Sequence, residues 1–552
     1  MNDKPYDPRI EGKRFVVGSR LNPTRIEAHF ANRTFRCYRN RPKHFDALLR
    51  AAAATSPDCD ALVSRDRRLT YAEFDQAVTR VANGLLGAGI AAGDRIGVMQ
   101  GNSVSFFLSM MGAIRMGAIA VPMSVKMSPV EAAYILNHCR AQALICEEAV
   151  LDRLPDFADC PSVREVWIDS DRVPEGMTSF TALSSATDTP VEPVGDEDDT
   201  IFLFYTSGTT GKPKGACITN LNMVHSALHY RYAIDLKSGQ RGLLAIPGAH
   251  ISGFFAVFTN MLSVAGATVL MRDYKTAAVL DTMKRERITF TVFVPAIYQL
   301  ILMHEDFDAR ELKDWRYAIY GGGIMPGATV TRLNTVLPDL LLINAYGATE
   351  TTSPVSIMPA WASADRPDSI GLLVECGEAV VMGEDGREVE PGAVGELWIR
   401  GPMVVPGYWE APDQTNASFT DGFWHTGDVV SMDEDGFLYI HDRTKDMINR
   451  GGYKVFSAEV ENVIIALDGV IECAAVPVPD TVMGERVCLF VRVQDTGIAE
   501  ETLRKHAGSA LSDYKLPDFY VISDAPLPRN ANGKIMKAPL AEEARRFENA
   551  GR

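Results

Sequence analysis

Along the chain, stretches with apolar residues at helical spacing alternate with short unbroken apolar runs. Thr70 and Glu73 form a capping box ahead of a stretch that predicts a helix with Phe74, Ala77, Val78, Val81, Leu85 and Leu86 on one face. The run Arg95–Met99 follows as a predicted strand, then a helical stretch from Ser103, then another short run at 118–121. Strand, helix and strand in that order predict a parallel sheet covered by helices, an α/β architecture. The polar, turn-forming stretch 188–199 is a surface connection into a buried strand at 200–205. From Gly395 the pattern changes to short strands and turns in GELWIRG, DGFWHTGD and DEDGFLYIHDR, which predicts a small β-rich subdomain. After Arg443 comes an amphipathic helix in SAEVENVIIAL, with strand-like runs at 474–478 and 487–493. The expected organisation is an irregular, Arg-rich extension over 1–40, a large domain over 41–443 and a small C-terminal domain over 444–552.

With 552 residues, 46% of them hydrophobic, the chain exceeds what one core organises, and more than one domain is expected. A formal net charge of -16 argues against nucleic acid or an anionic membrane as partner, because both reward a basic surface. The nine cysteines are scattered without a CxxC pair, so neither a zinc site nor a disulfide framework is expected. The N-terminal MNDKPYDPRIEGKRF lacks the apolar core of a signal peptide, which makes the cytoplasm the expected location. Between Arg241 and Arg272 about 30 residues carry no acidic or basic side chain, long enough to span a bilayer. Pro247, His250, Ser252, Gly253, Thr259, Asn260, Ser263 and Gly266 interrupt them, so buried strands and helices are expected and no transmembrane segment.

Candidate chemistry concentrates first in one loop, Thr206-Ser-Gly-Thr-Thr-Gly-Lys-Pro-Lys-Gly215. Glycines such as Gly208 let backbone N–H groups converge on an anion. Thr206, Ser207, Thr209 and Thr210 add hydroxyl donors, and Lys212 and Lys214 supply countercharge. This is the composition of a triphosphate cradle. It is not a Walker A loop, since Lys212 is followed by Pro213 and position 206 is not glycine.

The string YTSGTTGKPKG resembles the signature loop of adenylate-forming enzymes, the AMP-binding superfamily of acyl- and aryl-CoA synthetases, firefly-type luciferases and peptide-synthetase adenylation domains. Further motifs follow in that family's order: Asn344-Ala-Tyr-Gly-Ala-Thr-Glu350, His425-Thr-Gly-Asp428, Asp442-Arg-Thr-Lys-Asp446, Gly451-Gly-Tyr-Lys454 and Pro528-Arg-Asn-Ala-Asn-Gly-Lys534. The resemblance spans roughly residues 41–540. It implies ATP, Mg2+ and coenzyme A. It also implies a large N-terminal domain of helix-covered, mostly parallel sheets plus the β-rich subdomain, and a small mobile α+β C-terminal lid.

Family roles carry over to matching positions. Tyr346, followed by Gly347, offers an aromatic face for adenine, which the family stacks against a glycine-rich strand end, here Gly321, Gly322 and Gly323. Thr349 can donate to a phosphate, and Glu350 is a carboxylate suited to Mg2+, a hard cation. Asp428 suits the ribose hydroxyls, and Arg443 a second contact to ribose or phosphate. Lys445 takes the hinge position, where backbone rotation matters more than side-chain chemistry. Lys534 takes the catalytic role in adenylation, its cation bridging the acid's carboxylate and the α-phosphate. Taken singly, a loop glutamate, a turn aspartate or a C-terminal lysine is usually a solvated surface group; their order in the chain reverses that.

His250 lies in IPGAHISGFF, which resembles the segment lining the family's acid pocket. It reads as a gate beside the reacting carboxyl, with a buried core histidine as the plainer alternative. Pocket positions implied are His250, Phe254, Phe255, Ile297, Gly321, Gly322, Ala345 and Pro354, an apolar set that suits a fatty, polycyclic or aromatic acid. No aspartate stands between Pro247 and Phe258 to pair with an ammonium group, which disfavours an α-amino acid. Luciferases carry a lysine where this chain has Gly451, whereas Gly451-Gly452 resembles CoA ligases, whose backbone there approaches the pantetheine thiol. The expected function is an acid–CoA ligase taking a small-molecule carboxylic acid, ATP and CoA; a homodimer is left open. The alternatives are an acyl-AMP ligase that loads a carrier protein and a non-catalytic acyl-binding or transport protein. Ser457 stands where the family usually has proline, which leaves open how the chain turns into the following helix.

Overall fold

The computed structural model describes residues 23–31, 33–206, 213–323, 325, 327–363, 365–451, 453–494, 498–529 and 535–548. The capping box forms as expected: the Thr70 hydroxyl accepts the Glu73 N–H, the Glu73 carboxylate accepts the Thr70 N–H, and the helix runs Tyr71–Gly87. Phe74, Ala77, Val78, Val81 and Leu85 are buried, whereas Leu86 is 43% exposed. One residue beyond Leu85 is a turn of about 100° around the helix, which carries Leu86 past the core stripe.

The predicted parallel crossovers are present. Arg95–Met99 lies between Ile119–Pro122 and Ala143–Glu147 and parallel to both. Beyond Ile119–Pro122 the sheet adds Thr200–Thr206, and its edge strand Lys214–Thr219 runs antiparallel to that strand. The glycine-rich loop sequence therefore joins two paired strands at a sheet edge.

A larger sheet holds the parallel strands Asp60–Val63, Ala267–Leu270, Arg241–Leu244, Phe290–Phe293, Tyr317–Tyr320 and Leu341–Tyr346, in that spatial order. It turns antiparallel at Ser356–Ile357 and continues through Gly371–Leu373, Phe437–Arg443, Phe423–Met432, Val394–Arg400 and Glu378–Met382. The β-rich part thus begins well ahead of Gly395, because strands of two or three residues are too short to show alternation. The uncharged stretch after Arg241 folds as a strand, helical turns over 251–263 and a second strand. Among the described residues no helix is long and apolar enough to cross a membrane.

Beyond Arg443 a five-stranded sheet forms around Val470–Asp480 and Gly484–Val493. Successive residues of a strand point to opposite faces. Val487, Leu489 and Val491 accordingly pack with Val460, Ile464 and Leu503, while Cys488 and Phe490 pack with Leu540 and Ala544. Helices cover both faces, which is why these strands read as unbroken apolar runs.

The irregular extension is a further correction. Within the extension, Thr24–His29 and Arg33–Tyr38 form an antiparallel hairpin instead of irregular chain. Phe35 and Cys37 alternate inward against Leu221, but arginines at 33 and 36 hide that period in the sequence. Arg41 ties the hairpin down through Glu27 and Glu197 at 2.8 and 2.7 Å. Glu27, His29 and Glu197 have the composition of a metal group, but the Arg41 guanidinium already pairs with both carboxylates.

Candidate active site

Ligands of α/β sheets bind beyond the carboxyl ends of parallel strands. Tyr317–Tyr320 and Leu341–Tyr346 are neighbours with Tyr320 opposite Asn344, which sets Gly321 beside Ala345, while Gly322 and Gly323 approach Val294 and Pro295. Only glycine fits at 321, since a Cβ there would lie 2.4 Å from the Ala345 carbonyl oxygen.

The Tyr346 hydroxyl donates to Asp428 Oδ2 at 2.5 Å, and Arg443 Nε sits 3.0 Å from Asp428 Oδ1. The ladder accounts for the second contact, because Asp428 and Arg443 are direct cross-strand partners. Asp428 is 4% exposed, and its charge raises the Arg443 pKa. Burial first, and then Asp428, push the Tyr346 phenol well above its ordinary range. Residues from three separate motifs thus form one cluster of ring, carboxylate and guanidinium.

Glu350 follows in the single turn Thr349–Thr351 and is 9% exposed. Its Oε1 accepts the Tyr408 hydroxyl at 3.0 Å and the Thr206 hydroxyl at 3.4 Å. Lys214 pairs with Thr206 across the hairpin, and its Nζ lies 4.9 Å from the centre of the Tyr408 ring. Helix Pro129–His138 holds both flanks of the loop: His138 Nδ1 and the Tyr205 hydroxyl share a hydrogen bond of 2.8 Å, and Tyr134 donates to the Pro213 carbonyl at 3.1 Å. Burial lowers the His138 pKa, which favours its neutral form. Tyr134, His138 and Tyr408 escape sequence reasoning because nothing in their local pattern marks them; only the fold brings them to the loop. A carboxylate beside hydroxyl oxygens fits a hard cation such as Mg2+, and among the described residues no donor occupies Glu350 Oε2.

Ser207, Gly208, Thr209, Thr210, Lys212, Gly452 and Lys534 lie outside the described residues.

On the acid side, His250 is half-buried and caps the turn Ile251–Gly253, its Nδ1 accepting the Ser252 N–H at 3.4 Å. Phe254 lies 5.1 Å from Phe202 and 5.8 Å from Phe107 between ring centres, and Phe255 lies 5.0 Å from Phe204. Both rings are fully buried, so touching an acid would require them to swing out of this aromatic cluster. Pro354 is buried, Ala345 is half-buried, and Ile297, in helix Pro295–Met303, packs against the core that includes Leu243, Phe293 and Trp315. The segment before Pro354 is held by helix Asn220–Ala233, with Ser226 donating to the Ser353 carbonyl and Tyr230 3.1 Å from the Ser353 hydroxyl.

Lys445 is exposed in the turn between Phe437–Arg443 and Ile448–Arg450. Just before it, the buried Asp442 accepts the Ser457 N–H at 2.5 Å and the Ser457 hydroxyl at 3.0 Å. Proline has no N–H to give, so serine adds a bond that fixes the start of helix Ser457–Ile465. Gly451 has φ +59°, and a Cβ there would meet Met483 Cε at 2.8 Å.

The AMP-binding enzyme family model matches residues 49–409, and the AMP-binding enzyme C-terminal domain model matches 459–534. The long-chain-fatty-acid–CoA ligase FadD13 of Mycobacterium tuberculosis is 32% identical over 507 residues, which cover 91% of this chain and 98% of that protein. A feruloyl-CoA synthase from an Amycolatopsis species is 33% identical over 497 residues, 90% of this chain and 97% of that one. Among solved structures, the o-succinylbenzoate CoA synthetase MenE of Bacillus subtilis in complex with ATP and magnesium ion matches with a TM-score of 0.79 at 26% identity, covering 90% of this chain and 98% of that chain.

Proposed function

The chain belongs to the AMP-binding enzyme family, and from that premise we propose that it is an ATP-dependent carboxylic acid–CoA ligase. The observation that carries this reading is the convergence of Tyr346, Asp428 and Arg443 on one another, while Glu350 meets the strand that enters the phosphate loop. In the first half-reaction a carboxylate oxygen of the acid attacks the α-phosphorus of ATP, and the bond to the bridging oxygen breaks to release pyrophosphate. In the second, the CoA sulfur attacks the acyl carbon and the acyl–oxygen bond to AMP breaks.

Adenine lies between Tyr346 and the Gly321–Gly323 strand end, and Asp428 and Arg443 take the ribose. Thr206, Ser207, Thr209, Thr210, Lys212 and Lys214 hold the phosphates, with Thr349 adding a donor. Glu350 would hold Mg2+, which when bound offsets phosphate charge. Lys534 stabilises charge between the carboxylate and the α-phosphate. The segment 444–552 then turns about Lys445 and brings Gly451 and Gly452 toward the adenylate. His250 borders the reacting carboxyl. The fatty-acid and feruloyl relatives support a fatty, polycyclic or aromatic acid.

The test is incubation of the purified chain with ATP, Mg2+, CoA and a panel of such acids, with thioester and AMP followed by mass spectrometry. The reading expects both products, dependent on the acid. Acyl-AMP without CoA consumption would assign a carrier-protein thiol as acceptor, and absence of both products would return a non-catalytic acyl-binding role.

A further inference from the structure

The stretch GPMVVPGYW, residues 401–409, has no part in the two half-reactions above, yet it is held at several points. The Trp409 N–H donates to the Gly215 carbonyl at 2.8 Å and the Cys217 N–H to the Gly407 carbonyl at 3.1 Å, with Tyr408 bridged to Ala216. The stretch therefore lies along the strand that leaves the phosphate loop. At its other end the Val405 N–H donates to the Glu350 carbonyl at 2.9 Å. Arg33, from the N-terminal hairpin, donates to the carbonyls of Val405 and Pro406 at 3.3 and 2.8 Å. Gly407 leaves room for Thr415, whose hydroxyl accepts the Tyr408 N–H at 3.0 Å. All of this presents one side chain, Tyr408, 8% exposed, between Lys214 and Glu350.

We propose that Tyr408 is a positioning residue for the metal–nucleotide complex: its hydroxyl pins Glu350 Oε1 so that Oε2 is left for the cation, while its ring steadies Lys214 beside the phosphates. This rests on the reading of Glu350 as the metal carboxylate. A carboxylate with one oxygen engaged by Tyr408 and Thr206 cannot rotate freely, and a ligand held in place by its hydrogen-bond partners binds metal more tightly. The ring face attracts the Lys214 ammonium by its quadrupole.

The measurement is Mn2+ binding, read by loss of the free-ion paramagnetic resonance signal, in the presence of the non-hydrolysable α,β-methylene-ATP. Tyr408→Phe keeps the ring and is expected to weaken Mn2+ binding about tenfold, with metal-free binding of the analogue and the KM for the acid unchanged. Glu350→Gln should weaken Mn2+ binding at least as much, and adding Tyr408→Phe to it should change nothing further. If Glu350→Gln leaves Mn2+ binding intact, the metal reading itself fails. If Glu350→Gln weakens binding and Tyr408→Phe does not, the positioning role is overturned. Should Tyr408→Phe not fold, as judged by thermal unfolding, Thr206→Val removes the longer bond to the same oxygen, and Mn2+ is then titrated without nucleotide so that the phosphate contact of Thr206 does not enter. A smaller loss of Mn2+ affinity supports pinning of Oε1, and unchanged affinity overturns it.

Discussion

On the nucleotide side of the site, polar side chains are held by other polar side chains: Tyr346 by Asp428, Asp428 by Arg443, and Glu350 by Tyr408 and Thr206. On the acid side, Phe254 and Phe255 sit in a cluster of aromatic rings, Pro354 is buried and Ile297 leans on the core around Leu243 and Trp315. Hydrogen bonds have donors, acceptors and directions, so a polar network specifies residue type at each position. Apolar packing asks mainly for volume, and cores tolerate many substitutions that keep it. The nucleotide is accordingly announced by motifs, and the acid's tail is not.

The contrast predicts separable failures. The largest effect should come from Phe254→Ala, which leaves a cavity among Phe107, Phe202 and Phe258 and should cost about 3–5 kcal/mol of stability in denaturant unfolding. The folded fraction should keep its KM for ATP, and a raised value would erase the distinction between the two sides. Next, Asp428→Ala takes the acceptor from Tyr346 and the partner from Arg443. Loss of hydrogen bonds to a charged group, about 1.5–3 kcal/mol, should raise the KM for ATP roughly 10- to 100-fold in steady-state kinetics. The KM for the acid should stay unchanged.

A smaller effect concerns helix Asn220–Ala233, whose Ser226 and Tyr230 hold Ser353 on the acid side. The same helix buries His225 and His229, and burial lowers both pKa values, that of His229 to about 3. His225 is built as the neutral form, its Nδ1 against the Leu221 carbonyl and its Nε2 accepting the Tyr38 N–H at 3.2 Å. In the unfolded chain histidine titrates near about 6.5, so below that pH the unfolded state binds protons that the folded state refuses. Stability should be fully present above that pH and fall as pH drops from 7 to 5, seen as a lower melting temperature. A flat profile would contradict the buried, neutral assignment.

Much of this architecture was legible in the sequence, for reasons visible in particular residues. The Thr70 and Glu73 cap, the parallel run Arg95–Met99 and the ordered motifs around Tyr346, Glu350, Asp428 and Arg443 each carry a local signal. The hairpin Thr24–His29 with Arg33–Tyr38 did not, because Phe35 and Cys37 are only two inward positions among arginines. Tyr408 was illegible for a different reason. Its role depends on Glu350 and Lys214, which are near it only in the fold. The rings of Phe254 and Phe255 show the same limit, since whether an aromatic side chain faces a ligand or a core is settled by its neighbours in space.

The central claim, activation of an acid at the α-phosphorus of ATP, is tested most directly by acid-dependent exchange of labelled pyrophosphate into ATP, with wild type compared against Lys534→Ala. The account predicts exchange in the wild type that falls about 100-fold or more in the variant, with ATP binding retained. Exchange that persists undiminished in Lys534→Ala would contradict it.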